Sequence, residues 1–521
     1  MKEKTSFKAI VIVIVTVLML ICLKLPVYAS ITTTTNTKDI TVSGIEAGAK
    51  VSAYQLTTVN YDYIADQPQV VPYTWNSNVK IWVDANYSAY SDPENFYKNV
   101  TSNSDEVKAF YSALSADIKG GTVSLTAKTQ TAIGTASYPV TDEKLTGSVT
   151  FTGCEMGTYL ILIENGYMVY TPSVINLTPE FDNTTKEWKL PDSMGVTVKA
   201  TKPQITKTIT DETKTKDNYS TKDTIPFTIV ADIPTYATGS LAKSYKISDT
   251  LSNGLTVDKA TIKVFGQRKG FRTPTELKEI TDYVITATEN TAFDIELKYD
   301  QIQKYDKIKV TYSAKLTAGA STNVGGAGNS NTATLTYSNN PYDATSSQTQ
   351  ETSNKVFTYG AEITKTDKTT GDALKGAEFE LAIGAEKVYF VKTVDGVYYQ
   401  ANQSDAGATT ELVVDDNGKL YINGLNVGTY QLKETKSSDG YNIATEIKTI
   451  TIKDDNLDGA LDDEEGTTGI YKLTFTNTKG FQLPVTGGAG TVAFVAGGIV
   501  FVGLGILLLV IASKKKNLQK Q

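Results

Sequence analysis

The chain has 521 residues, 50 basic against 57 acidic side chains, and a formal charge of −7. It contains no histidine, so histidine-based triads, zinc sites and proton shuttles are excluded. The acidic balance argues against nucleic acid as a partner.

In chain order, Lys2, Lys4 and Lys8 precede an apolar stretch from Ala9 to Leu23. Val27-Tyr28-Ala29 then places small residues before Ser30. This predicts a secretory signal peptide over residues 1–29 rather than a first membrane span. Cys22 leaves with that leader, so Cys154 has no partner for an intramolecular disulfide. It reads as a small buried apolar residue.

The span from Ser30 onward is rich in Thr, Val, Tyr and Ile, and many stretches alternate, such as Lys307 to Tyr312 and Tyr471 to Thr476. Alternation of this kind predicts half-buried strands, and turn signals recur at the spacing of β-sandwiches. The expected fold is all-β, with three tandem Ig-like sandwiches. The first block is expected over residues 30–198. Its one helical pattern runs from Glu94 to Lys119, with Phe96, Val100, Val107, Phe110 and Leu114 apolar, and predicts one or two short helices.

A second block is expected over 199–356. The polar stretch from Ala344 to Asn354 reads as the break before a third block over 357–480. Gly157-Thr158-Tyr159 in the first block is echoed by Gly428-Thr429-Tyr430 in the third. The remaining residues, 481–521, hold Leu483-Pro484-Val485-Thr486-Gly487, an apolar run from Thr491 to Ala512, and Lys514-Lys515-Lys516. The run is long enough for a transmembrane helix, and the lysines fix its far end in the cytoplasm. Between leader and tail the chain is more acidic. The leader holds four lysines and one glutamate and the tail four lysines, so the charge falls from −7 to −14.

The tail resembles the sorting signal of Gram-positive sortase substrates. The resemblance implies recognition through Leu483, Pro484, Thr486 and Gly487, cleavage between Thr486 and Gly487, and transfer of the threonine carbonyl to an amine. The third block, with Ile363-Thr364-Lys365-Thr366-Asp367, Leu374 to Leu381, Gly428 to Thr435 and Leu473 to Thr478, resembles the CnaB-type domain of Gram-positive surface proteins. That implies an isopeptide bond between Lys365 and Asn477, assisted by Glu434. The second block opens with Pro203 to Ile209, continues through Tyr245 to Leu251 and closes with Gly328 to Tyr337. It looks like the CnaA-like middle domain of shaft pilins, which implies Lys207 and Asn331 with Asp249 as the acid. Asn329 has the same strand parity and is the alternative to Asn331. Burial favours a neutral, nucleophilic lysine and a protonated carboxyl. The acid then polarises the carboxamide, the amine attacks, and ammonia leaves.

The first block departs from this pattern. Ile163 stands where the third block has Glu434, and Lys38-Asp39-Ile40-Thr41-Val42 offers no lysine in the matching place. No crosslink is expected there. Related pilins carry a VxVYPK-like stretch with the acceptor lysine; here Val196 to Pro203 lacks the Tyr-Pro pair. Lys202 and Lys199 are both candidates, with Lys202 slightly preferred.

Asp454, Asn456 and Asp458, followed by Gly459 and Glu465, fit an EF-hand loop pattern, but their flanks read as strands. Both a calcium loop and an acidic hairpin loop are open readings. No cofactor is otherwise required.

The mature chain as a whole resembles a sortase-assembled backbone pilin of the SpaA type. The partners implied are pilus-specific and housekeeping sortases, identical subunits joined head to tail, peptidoglycan, and minor or tip pilins. The rival reading is a monomeric wall-anchored adhesin for a host or matrix ligand. An enzyme is disfavoured, because nucleophile motifs are missing as well as histidine.

Overall fold

The computed structural model describes residues 37–518, apart from 100–103, 134–146, 211–212, 237–239, 288, 324–325, 341, 344, 463–467 and 481–488. The expected leader, Glu465 and the Leu483–Gly487 peptide therefore lie outside the described residues.

The first sandwich is framed by β1 (Thr37–Ile45), β2 (Lys50–Gln55), β3 (Gly147–Glu155) and β4 (Gly157–Glu164). β1 pairs antiparallel with β3 and parallel with Met194–Thr197, while β2 and β4 lie at the centre of the facing four-stranded sheet. β4 is buried along its whole length. Tyr159, Ile161 and Ile163 point into the space between the sheets, and Leu160 and Leu162 lie under helices on the outer face. Those helices are α1 (Ser77–Asn86), a short turn Pro93–Asn99, and α2 (Asp105–Lys119). α2 starts where the Ser104 hydroxyl accepts from the Val107 amide at 3.4 Å, with Asp105 and Glu106 in its first turn. The helical expectation for Glu94–Lys119 is met by two elements. α1 was not anticipated, because only Val79, Trp82 and Val83 of its ten residues are buried.

The second sandwich is built from β5 (Ile205–Ile209), β6 (Thr224–Asp232), β7 (Tyr245–Leu251), β8 (Leu255–Gln267), β9 (Lys307–Leu316), β10 (Asn329–Tyr337) and β11 (Gln348–Phe357). One sheet runs β5-β6-β9-β8, and the other contains β11-β10-β7 in adjacent positions. β9 and β10 alternate buried and part-exposed or exposed residues without a break, as a half-buried strand requires. The polar stretch read as a break between blocks is corrected here. Most of it is β11, which pairs antiparallel with β10 over nine residues, Asn331 opposite Asn354. Its sequence looks like a linker because Gln348, Gln350 and Thr352 lie on a partly exposed edge of the sandwich.

Only Thr358 separates β11 from the third sandwich. That sandwich comprises β12 (Tyr359–Asp367), β13 (Glu378–Ile383), β14 (Lys419–Leu425), β15 (Gly428–Lys436), β16 (Ile447–Ile452) and β17 (Ile470–Asn477). β12 lies between β14 and β17, and its pairing with β17 is parallel. β13, β15 and β16 form the opposite sheet. The chain then reaches α3 (Ala489–Leu518), whose segment Val495–Lys514 is long and apolar enough to cross a membrane.

Candidate functional site

Two buried polar clusters occupy the second and third sandwiches. In the second, Lys207 sits on β5 between Ile205 and Ile209, all three facing inward. Its Nζ contacts the carboxylate of Asp249 on β7 and the Oδ1 of Asn331 on β10, across the gap between the sheets. Each of the three side chains is 1% exposed or less. The rings of Phe227 and Tyr312 lie 5.4 and 5.6 Å from the Lys207 Nζ. Burial pushes the Lys207 amine down to about 8, against the pull of Asp249. Burial likewise raises Asp249, although Lys207 and Tyr312 both act to lower it.

Tyr312, on β9, completes this cluster. Its hydroxyl donates to Asp249 Oδ1 at 2.9 Å and accepts from Asn331 Nδ2 at 2.7 Å. The sequence reading placed Tyr312 on a strand without assigning it a part. The signal was present: Ile308, Val310 and Tyr312 share one face of an alternating strand, and the last of them carries a hydroxyl into the core.

Asn329, the alternative to Asn331, is buried but points elsewhere. Its Nδ2 donates to the Val356 carbonyl at 3.2 Å, and its Oδ1 lies so close to Gly254 that a Cβ there would come within 1.9 Å of it.

In the third sandwich, Lys365 on β12 and Asn477 on β17 lie on neighbouring parallel strands. Lys365 Nζ contacts Asn477 Oδ1 and stands 3.6 Å from Glu434 Oε1, which comes from β15 in the opposite sheet. Asn477 Nδ2 donates to both Glu434 oxygens, at 2.9 and 3.0 Å, and to the Asn442 carbonyl at 2.9 Å. The Ala444 amide donates to Glu434 Oε2 at 2.6 Å. The Phe475 ring lies 5.3 Å from Lys365 Nζ, and burial lowers the lysine's pKa against the pull of Glu434.

The first sandwich repeats part of the frame of the third. Gly157 and Gly428 share an unusual backbone, with φ of 155° and 153°. The following tyrosines each donate to the carbonyl four residues back, Tyr159 to Glu155 at 2.9 Å and Tyr430 to Asn426 at 2.8 Å. At the position of Glu434 stands Ile163, packed in the core with Ile40 and Val42 of β1. Cys154 is free and buried in the same core, and burial pushes its thiol up.

The acceptor candidates lie on the connection between the first two sandwiches. Lys199 is exposed, and its carbonyl accepts from the Thr171 amide at 3.2 Å; Lys202 is half-buried. In the acidic loop, Asp454 turns inward. Its carboxylate accepts from the Tyr359 hydroxyl at 2.7 Å and from the amides of Asp458 and Gly459 at 3.3 and 2.8 Å. Among the described residues no group of three or more acidic or thiol side chains converges as a metal site.

Comparison with known proteins gives three family matches. Residues 221–341 match the Cna-B-like domain of Gram-positive pilin backbone subunit 2. Residues 360–467 match the SpaA prealbumin-like fold domain, and residues 476–517 match the LPXTG cell wall anchor motif. A curated relative, the trypsin-resistant surface T6 protein of Streptococcus pyogenes serotype M6, is 27% identical over 271 residues. That stretch covers 49% of this chain and 46% of the relative, so the chain spans about half the length of the protein it matches. The solved structure of the T6 backbone pilin of serotype M6 Streptococcus pyogenes, described as modular and three-domain, superposes with a TM-score of 0.56. Its sequence identity is 19%, with 79% of each chain covered, which shows a shared fold.

The molecule is thus a surface protein of tandem β-sandwiches with a C-terminal cell-wall anchor. Its second sandwich is similar to a domain of Gram-positive pilin backbone subunits, its third to the SpaA prealbumin-like fold domain, and its C-terminal segment to the cell-wall anchor motif.

Proposed function

We propose that this chain is the shaft subunit of a covalent pilus. A sortase cleaves between Thr486 and Gly487 and joins Thr486 to a lysine of the next subunit, Lys202 or Lys199. Lys207–Asn331 and Lys365–Asn477 isopeptide bonds brace each subunit from within, with Asp249 and Glu434 as the assisting acids. The reaction is a single self-turnover, and the protein is a substrate of sortase.

One observation carries this reading: each of two sandwiches buries a lysine, a carboxyl and an asparagine in mutual contact. Leaving an ionised lysine and carboxylate in such a core costs several kcal/mol per ion. A neutral amine beside a carboxylic acid avoids that cost, and it is the state in which an amine attacks a carboxamide. Converting the pair to an amide then removes the titratable amine altogether.

The polymer is tested on cell-wall extracts. A ladder of high-mass species resistant to boiling detergent is expected, and it collapses when Lys199 and Lys202 are both replaced by alanine. A single band of monomer mass contradicts the shaft reading and favours the wall-anchored adhesin. A ladder that survives both substitutions moves the acceptor to another lysine.

A further inference from the structure

The two clusters present the leaving nitrogen to different groups. In the third sandwich the longer acid reaches it directly, since Asn477 Nδ2 lies 2.9 and 3.0 Å from the Glu434 oxygens. In the second the acid is one methylene shorter. Asp249 Oδ2 faces Lys207, and Oδ1 faces the Tyr312 hydroxyl at 2.9 Å. It is Tyr312 that touches Asn331 Nδ2, at 2.7 Å. Lys207, Asp249, Tyr312 and Asn331 thus form a closed ring of contacts with no exposed member.

We propose that Tyr312 is a catalytic residue of the second sandwich, the general acid that delivers the proton to the departing ammonia. This rests on the isopeptide reading above. As the Lys207 Nζ–Asn331 Cγ bond forms, the amine loses a proton to Asp249 Oδ2. In the reactive state Asp249 is protonated on Oδ1, the Tyr312 hydroxyl has turned from Asp249 towards Nδ2, and Asp249 passes its proton to the Tyr312 oxygen. Tyr312 gives its own hydroxyl proton to Nδ2, now an amine with a free electron pair. The Cγ–Nδ2 bond breaks and ammonia leaves. One proton has travelled in effect from Lys207 to the leaving nitrogen, while Asp249 and Tyr312 end in their starting charge states. The third sandwich needs no such relay, because Glu434 can both receive the lysine proton and donate to Nδ2.

The full chain, made by cell-free synthesis in detergent micelles and digested at intervals, shows each bond as a crosslinked peptide lighter by one ammonia. Tyr312→Phe keeps the ring that packs the core and removes only the hydroxyl. It is expected to slow the Lys207–Asn331 bond by about a hundredfold or more, the usual contribution of a positioned acid. The Lys365–Asn477 bond in the same molecules should form at its normal rate, which also reports that the chain folds. Adding Asp249→Glu to Tyr312→Phe lengthens the acid towards Nδ2 and should restore at least a tenfold gain. An unchanged rate in Tyr312→Phe overturns the proposal. A slowed bond that the longer acid does not rescue also overturns it, because the Tyr312 hydroxyl then only holds Asp249 and Asn331 in position and delivers no proton. Loss of neither ammonia from the unaltered chain would instead sink the isopeptide reading itself.

Discussion

The second and third sandwiches carry the same three kinds of side chain but join different parts of their folds. In the third, Lys365 and Asn477 sit on adjacent parallel strands, the first and last of that domain. In the second, Lys207 and Asn331 face each other from opposite sheets, and β10 is the next-to-last strand. The two side chains thus lie on the first and last strands of the third domain but on the first and next-to-last strands of the second. After Asn331 the chain still has the rest of β10, a loop and β11 before it leaves at Phe357. Under the proposed crosslinks, the same chemistry would shield the third domain from tension completely and the second only in part.

Pulling the ends of the molecule tests this difference most strongly. In the third sandwich, force entering β12 would pass through the proposed Lys365–Asn477 bond and bypass the ladder. In the second, force leaving through β11 acts on a hairpin whose loaded ends lie side by side, Asn331 opposite Asn354. That geometry opens one rung at a time. Released and extended, the 26 residues that follow Asn331, up to Phe357, span at most about 90 Å. A single-molecule trace should show one such extension from the second sandwich and none of comparable length from the third. Two inextensible domains, or two extensible ones, would break the comparison.

Deleting the crosslinks one at a time should bring the domains back to similar behaviour. Lys365 and Asn477 lie 112 positions apart, and Lys207 and Asn331 lie 124 apart. Closing loops of this size contributes about 4–5 kcal/mol through the unfolded chain, by analogy with a disulfide. Asn477→Ala and Asn331→Ala should each lower the melting temperature of their own domain in calorimetry and leave the other domain unchanged. A shift of both transitions by one substitution would show that the domains unfold together.

The pH dependence of crosslinking sharpens the contrast in proton handling. Lys207 is lowered to about 8 and Asp249 is raised, both mainly by burial. The active pair is a neutral amine beside a protonated acid, one proton fewer than in the fully protonated pair. Below the raised Asp249 value the amine regains a proton and attack stops. Above about 8 the pair loses its last acidic proton, and Asp249 can no longer replace the proton that Tyr312 gives to the leaving nitrogen. The rate of the Lys207–Asn331 bond should fall roughly tenfold per unit above that point. A rate that climbs steadily through pH 8 to 10 would contradict the shared-proton account.

The smallest effect is expected at Asn329. Its side chain serves the Val356 carbonyl rather than Lys207. Asn329→Ala should leave the crosslink intact and cost about 1–3 kcal/mol for the unpaired carbonyl. Loss of the crosslink would reassign the partner of Lys207.

These contrasts were unequally legible in the sequence. Strand parity separates inward from outward residues, so Lys207, Lys365, Asn331 and Asn477 stand out as polar residues on apolar faces. Parity cannot say which of Asn329 and Asn331 meets the lysine, because both point inward and the answer depends on sheet register. Nor does it reveal that β12 and β17 pair in parallel, a contact between residues more than a hundred positions apart. β11 was hidden by its polar edge, and α1 by its thin apolar stripe. Tyr312 was visible as a core tyrosine, but its role follows only from the short reach of Asp249.

Weighing the polypeptide isolated between Ser30 and Thr486 tests the central claim most directly. The account predicts a mass two ammonias below the sum of its residues, with Asn331→Ala and Asn477→Ala each retaining one of the two. A mass equal to the residue sum would contradict it.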